Sequence, residues 1–159
     1  MKIIVIVIVK SVEHVCESIY FDVQKTDSQN VDLQLIGLRF NYDLNKTFYL
    51  IGETGFAYKG ESGGYAHGIV GLGISSPAFF NKIFKTHLEF TGGAAGGAGV
   101  DTEEGIVIRP TLGFSCKLAN NFSLYASGGK MISPSGNLNT TNINIGLSFG
   151  VATLRAKNK

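Results

Sequence analysis

The sequence predicts an all-β chain folded as an eight-stranded antiparallel up-and-down transmembrane β-barrel. Three observations predict it. Apolar and polar residues alternate with period 2 through most of the 159 residues, as strand side chains do when they point to opposite faces. The chemistry of the two rows is inverted relative to a soluble barrel. The breaks between alternating segments are by turns short and long, which lets consecutive strands pair antiparallel.

The last third, residues 104–154, shows the pattern most clearly. Ile106, Ile108, Pro110, Leu112, Phe114, Cys116 and Leu118 form one row of a sixth strand, and Val107, Arg109, Thr111, Gly113, Ser115 and Lys117 the other. After Ala119, Asn120 and Asn121, a seventh strand sets Phe122, Leu124 and Ala126 against Ser123, Tyr125 and Ser127. A polar loop leads to the eighth, where Ile143, Ile145, Leu147 and Phe149 alternate with Asn142, Asn144, Gly146 and Ser148.

Earlier strands follow the same rule. The first spans about 17–25, with Ile19, Phe21 and Val23 opposite Ser18, Tyr20, Asp22 and Gln24. Turn residues at 26–30 precede a second strand over 31–44, with Ile36, Leu38, Phe40 and Tyr42 against Gly37, Arg39 and Asn41. The breaks at 45–47 and 119–121 share a Leu-x3-Phe frame and suit three-residue hairpin loops with a left-handed Asn. If Leu44 meets Phe48, Tyr42 faces Leu50 and Arg39 falls opposite Glu53, so one register joins apolar to apolar and pairs opposite charges. The third, fourth and fifth strands span about 48–58, 65–74 and 84–97, separated by a Gly- and Ser-rich loop at 59–64 and a turn at 75–83 carrying Pro77. Pro110 lacks a ladder donor, so a bulge or local edge is expected there.

The inversion decides which face is inside. A soluble barrel turns its apolar row inward and covers the other with Lys, Glu, Asp and Arg. Here the polar row is mostly Gly, Ser, Thr, Asn and Ala, which fit a crowded interior and solvate a surface poorly. Its few charges, Asp22, Arg39, Glu53, Lys85, Glu89 and Arg109, come in both signs. The apolar row carries bulky residues and no charge between strand ends, as lipid requires. Aromatics at strand ends, among them Phe40, Phe48, Phe79, Phe80, Phe122 and Phe149, fit an interfacial girdle.

Bulk composition excludes several classes. Charged residues are 16% of the chain against roughly 25% in an ordinary soluble domain. The net charge of +2 and the lack of a basic patch argue against nucleic acid. The longest apolar run, Ile3 to Val9, is far short of the ~20 residues of a membrane helix. With Met1 and Lys2 before it, that run fits either a short signal peptide or a β-strand. The expected division is a signal-like or tail segment at 1–16, a barrel at 17–154 and a basic tail at 155–159. Cys16 and Cys116 fall on strands that are not neighbours, so no bridge is expected.

With that strand number, inversion and loop alternation, residues 17–154 resemble the small eight-stranded outer-membrane β-barrels, the OmpA-transmembrane-domain and OmpX-like group. The resemblance implies a monomer in the cell outer membrane, surrounded by its lipid and inserted by the barrel-assembly machinery. It also implies that the short turns face the periplasm and the loops at 59–64 and 133–140 face outward. The chain departs from the group's pattern in continuing past Phe149 to a basic end.

The expected site is a lumen network of Asp22, Arg39, Glu53, His87, Glu89 and Arg109. It supports a gated ion path, a proton-linked site or a salt-bridged plug; buried charges need partners, and the Arg and Glu residues balance, which favours the plug. His67, with Ser62 and Glu61 nearby in sequence, offers an alternative: a His-Ser-acid set for lipid A or phospholipid acyl modification. A soluble lipocalin-like barrel for an apolar ligand is the second alternative. The glycines of 92–99 read as a slim strand, since no helix follows to complete a phosphate cradle. Asp101, Glu103 and Glu104 read as a solvated acidic loop, and neither metal spacing nor a cofactor motif is present.

Overall fold

The computed structural model describes residues 12–28, 31–60, 64–97, 100 and 102–156, and side chains within 34–58, 64–97, 100 and 102–150. Eight strands follow in order: β1 (Val12–Ser28), β2 (Val31–Asp43), β3 (Phe48–Gly60), β4 (Ala66–Ser75), β5 (Phe84–Gly96), β6 (Ile106–Ala119), β7 (Phe122–Ile132) and β8 (Asn139–Ala156). Each pairs antiparallel with its sequence neighbours, and β1 also pairs with β8, which closes the barrel and removes its edges. No helix occurs among the described residues. The strands hold 10 to 18 residues, enough for tilted segments to cross a hydrocarbon core, which takes about 9–11. β1 reaches back to Val12, β7 continues to Ile132, and the loop between β7 and β8 narrows to 133–138.

The faces are as the inversion requires. On the outside, Val70 is 68% exposed and Ile145 58%; inside, Arg39 is 1% exposed and Arg109 fully buried. A soluble barrel would expose the second pair and bury the first. Such a continuous apolar exterior is stable against lipid and not against water, so the lipocalin-like alternative does not hold.

The turns depart from expectation in instructive ways. At the β2–β3 turn, Leu44 N–H donates to Phe48 O at 2.9 Å, and Asn45 Oδ1 accepts from the amides of Thr47 and Phe48, both at 2.8 Å. The Asn side chain, not a left-handed backbone, closes this loop. The β6–β7 turn is shorter than its Leu-x3-Phe frame implied. Ala119 pairs with Phe122, Asn120 and Asn121 form the turn, and Leu118 is accommodated by a register shift between Lys117 and Ala119. Pro110 produces no bulge: the β6–β7 ladder skips Arg109 and Pro110 and resumes in the same register at Thr111 and Gly129. Among the described residues the left-handed non-glycines lie instead in the Pro77 turn, at Phe80, Asn81 and Lys82, and at Glu103 in the β5–β6 loop.

Candidate functional site: a lumen in two layers

An eight-stranded barrel has an interior just wide enough for side chains to fill. Here glycines make room for the large ones. A Cβ at Gly73 would overlap the Tyr49 ring, one at Gly113 the Tyr125 ring, and one at Gly55 the His67 imidazole. The Gly-rich inner row thus places three rings in the lumen, each beside the glycine of an adjacent strand for Tyr49, Tyr125 and His67 alike.

Toward the turn end the lumen is polar. Arg39 Nη2 donates to Glu89 Oε1 at 2.5 Å, Nη1 to Tyr125 Oη at 3.1 Å and Nε to Asn41 Oδ1 at 2.9 Å. Glu89 also accepts from Tyr49 Oη at 2.6 Å and from Tyr125 Oη at 3.1 Å. The Arg39 guanidinium lies 5.1 Å from the Tyr125 ring centre, a cation–π contact. One step further in, Arg109 grips Glu53 with both arms, Nη1 to Oε1 at 2.7 Å and Nη2 to Oε2 at 2.5 Å. His67 Nε2 stands 3.4 Å from Glu53 Oε1. Carboxylates that accept this many charge-assisted bonds hold their charge while buried.

Arg39 and Glu53 are backbone partners across β2 and β3, as the turn register predicts. Their strong ion pairs nevertheless run elsewhere, Arg39 to Glu89 and Glu53 to Arg109, leaving 4.0 Å between the two backbone partners' side chains.

Toward the loop end the lumen is apolar, a correction to the expectation of a polar interior throughout. Leu35, Ile69, Val107, Met131, Tyr65 and Leu138 form a buried cluster, with Ala57 and Val100 packed against it. Tyr65 Oη donates to Met131 Sδ at 3.2 Å, so the hydroxyl is satisfied inside the cluster.

Five of the six expected network residues, Arg39, Glu53, His87, Glu89 and Arg109, line this lumen. Asp22 pairs by backbone with Gly37 and Gly146, and its side chain lies outside those described. Lys85 is exposed at the turn-end mouth. His67 is buried in the lumen beside Glu53, while Glu61 and Ser62 lie outside the described residues. Tyr49 and Tyr125 were not in the expected set, although both sit on the inner row, where a phenol hydroxyl has only lumen groups to bond.

No protein-family model matches the sequence, and no curated protein sequence matches it. Solved structures do match in fold. The outer membrane enzyme PagL aligns at TM-score 0.61 with 15% identity, covering 84% of this chain and 98% of that one. The N-terminal β-barrel domain of Pseudomonas aeruginosa OprF aligns at TM-score 0.59 with 12% identity, covering 84% and 97%. Yersinia pestis Ail, in a phospholipid bilayer nanodisc, aligns at TM-score 0.58 with 13% identity, covering 87% and 100%. The chain therefore has the transmembrane β-barrel fold of small outer-membrane proteins, as its apolar exterior requires.

Proposed function

We propose that this chain is an integral, monomeric protein of the outer membrane whose barrel is closed, and that it acts as a structural element or through its loops rather than as a pore. The observation that carries this reading is the double closure of the lumen: the Arg39–Glu89 and Glu53–Arg109 pairs cross it, and an apolar layer around Met131 lies above them. Water and ions would have to displace paired charges and then a dry layer to pass. The outer-membrane lipid is the solvent of the apolar exterior, and the barrel-assembly machinery is the partner that inserts the chain. The two tests are density-gradient fractionation of cell membranes and current recording in planar bilayers. Recovery in the outer-membrane fraction, extraction only with detergent and silent bilayers are expected; a soluble protein or steady currents would overturn the reading. Lipid-acyl chemistry at His67 gains no support, because that imidazole is turned into the lumen against Glu53 and away from the lipid.

A further inference from the structure

His87 and Ser115 are diagonal neighbours on the inner faces of β5 and β6 at the turn-end mouth, with His87 Nε2 2.8 Å from Ser115 Oγ. The other ring nitrogen, Nδ1, is 3.2 Å from Tyr49 Oη. Tyr49 has one hydroxyl proton, and it goes to the Glu89 carboxylate at 2.6 Å, which can only accept. The Tyr49 oxygen must then accept from His87, so the proton of the neutral imidazole sits on Nδ1. Nε2 is left as an acceptor, and the Ser115 hydroxyl donates to it. The bonds all run one way, from Ser115 to His87 to Tyr49 to Glu89, and Arg39 donates to the same Glu89 oxygen, Oε1, at 2.5 Å.

This is the polarity a serine nucleophile needs, with tyrosine carrying the orienting carboxylate's influence to the imidazole. Ser115 is only half-buried. Two exposed lysines flank it: Lys85 directly across β5 and Lys117 two residues on, along the same face of β6. We propose that Ser115 is an activated nucleophile and His87 its general base, acting on an acyl ester that carries an anionic group. Ser115 Oγ attacks the carbonyl carbon as its proton passes to His87 Nε2. The ester C–O bond then breaks, and the departing alcohol takes that proton. An acyl ester of Ser115 remains, and water activated by the same nitrogen hydrolyses it to the free acid. Tyr49 and Glu89 are positioning residues that fix the tautomer and stabilise the imidazolium while it exists. Lys85 and Lys117 draw in the anionic group.

The test uses the full chain folded in detergent micelles, with folding checked by the mobility of the unboiled protein on a gel. A fluorophosphonate probe is expected to label one site, found at Ser115 by peptide mass. Ser115→Ala should abolish labelling, and His87→Gln should slow it by about a hundredfold, the scale of a general base. Para-nitrophenyl hemisuccinate should be hydrolysed faster than para-nitrophenyl acetate, and Lys85→Gln with Lys117→Gln should erase that preference. Tyr49→Phe should change the imidazole 15N shifts of His87 from one tautomer to a mixture, which loss of packing alone would not do. Vesicles of phosphatidylglycerol distinguish a lipid ester from a soluble one by release of fatty acid. A folded wild-type barrel that takes no label, or takes it equally after Ser115→Ala, would overturn the proposal even if His87→Gln failed to fold.

Discussion

Arg39 and Glu53 face each other across β2 and β3, yet each spends its strongest bonds on the opposite wall, Arg39 on Glu89 of β5 and Glu53 on Arg109 of β6. The ion pairs are therefore struts across the lumen rather than rungs along one hairpin. They tie strands distant in sequence, 50 residues apart for Arg39 and Glu89 and 56 for Glu53 and Arg109.

Removing one strut partner should cost more than removing both. Arg109→Met leaves a buried carboxylate with its bidentate partner gone, and loss of one member of a buried pair costs about 3–5 kcal/mol. Glu53→Gln with Arg109→Met leaves no uncompensated charge at that pair and should cost less than Arg109→Met alone. Urea midpoints measured in lipid vesicles check this. Additive losses in the double variant would show that the pair is not coupled.

The outer face predicts a penalty that depends on depth. Ile145 lies near the middle of the part of β8 that pairs with β7, while Leu147 is nearer the turn end, where Gly150 N–H bonds Asn121 O. Ile145→Lys should cost about 2–4 kcal/mol, and Leu147→Lys less, because the lysine cost falls toward the interface. Ser148→Asn, on the inner row, should be milder than Ile145→Lys. Folding yield into vesicles and urea midpoints report the order; equal losses at 145 and 148 would refute the assignment of faces.

Much of this was legible in the sequence, for reasons particular residues make plain. Period 2 fixes which face Arg39 shares, and the turn at Asn45 fixes what lies opposite it, so the Arg39–Glu53 and Tyr42–Leu50 registers follow from local chemistry. The struts did not follow, because a guanidinium on a long stem reaches across a narrow lumen and register describes only neighbouring strands. The apolar layer was equally hidden: Ile69 and Val107 are single aliphatic residues in otherwise polar or glycine rows, and only closure brings them together with Leu35 and Met131. Leu118 escaped because a register shift costs the pattern one residue and leaves the Leu-x3-Phe frame looking intact.

Glycines divide into those the walls need and those they tolerate. A Cβ at Gly71 would stand 2.6 Å from Thr91 Cα, and one at Gly93 2.8 Å from Ile69 Cα. These are backbone atoms and cannot rotate aside. Gly71→Ala and Gly93→Ala should each destabilise by about 1–3 kcal/mol through overpacking. Gly52 and Gly68 face open space, and Ala there should be nearly neutral. The measurement is the fraction of heat-shifted barrel on unboiled gels; a Gly68→Ala loss matching that of Gly71→Ala would contradict the close approach of β4 and β5.

The two lumen layers stand in series, so opening either alone should leave the barrel silent. Leu35→Ala with Met131→Ala hollows the apolar layer. Each deletion costs about 2–5 kcal/mol if the cavity does not collapse, and water can then descend as far as Arg109 and Glu53. It stops there, because displacing a bidentate buried pair requires solvating both charges. Conversely, Glu53→Gln with Arg109→Met removes that strut while the layer formed by Leu35, Val107 and Met131 remains dry. The four changes together wet the lumen only as far as the Arg39–Glu89 strut, which still crosses it toward the turn end. In planar bilayers the two double variants and the quadruple variant are therefore expected to pass no current, and a small, steady one is expected only when Arg39→Met and Glu89→Gln are added to the four. Current through Leu35→Ala with Met131→Ala alone would mean that the polar layer is no barrier, and the double closure would fall with it.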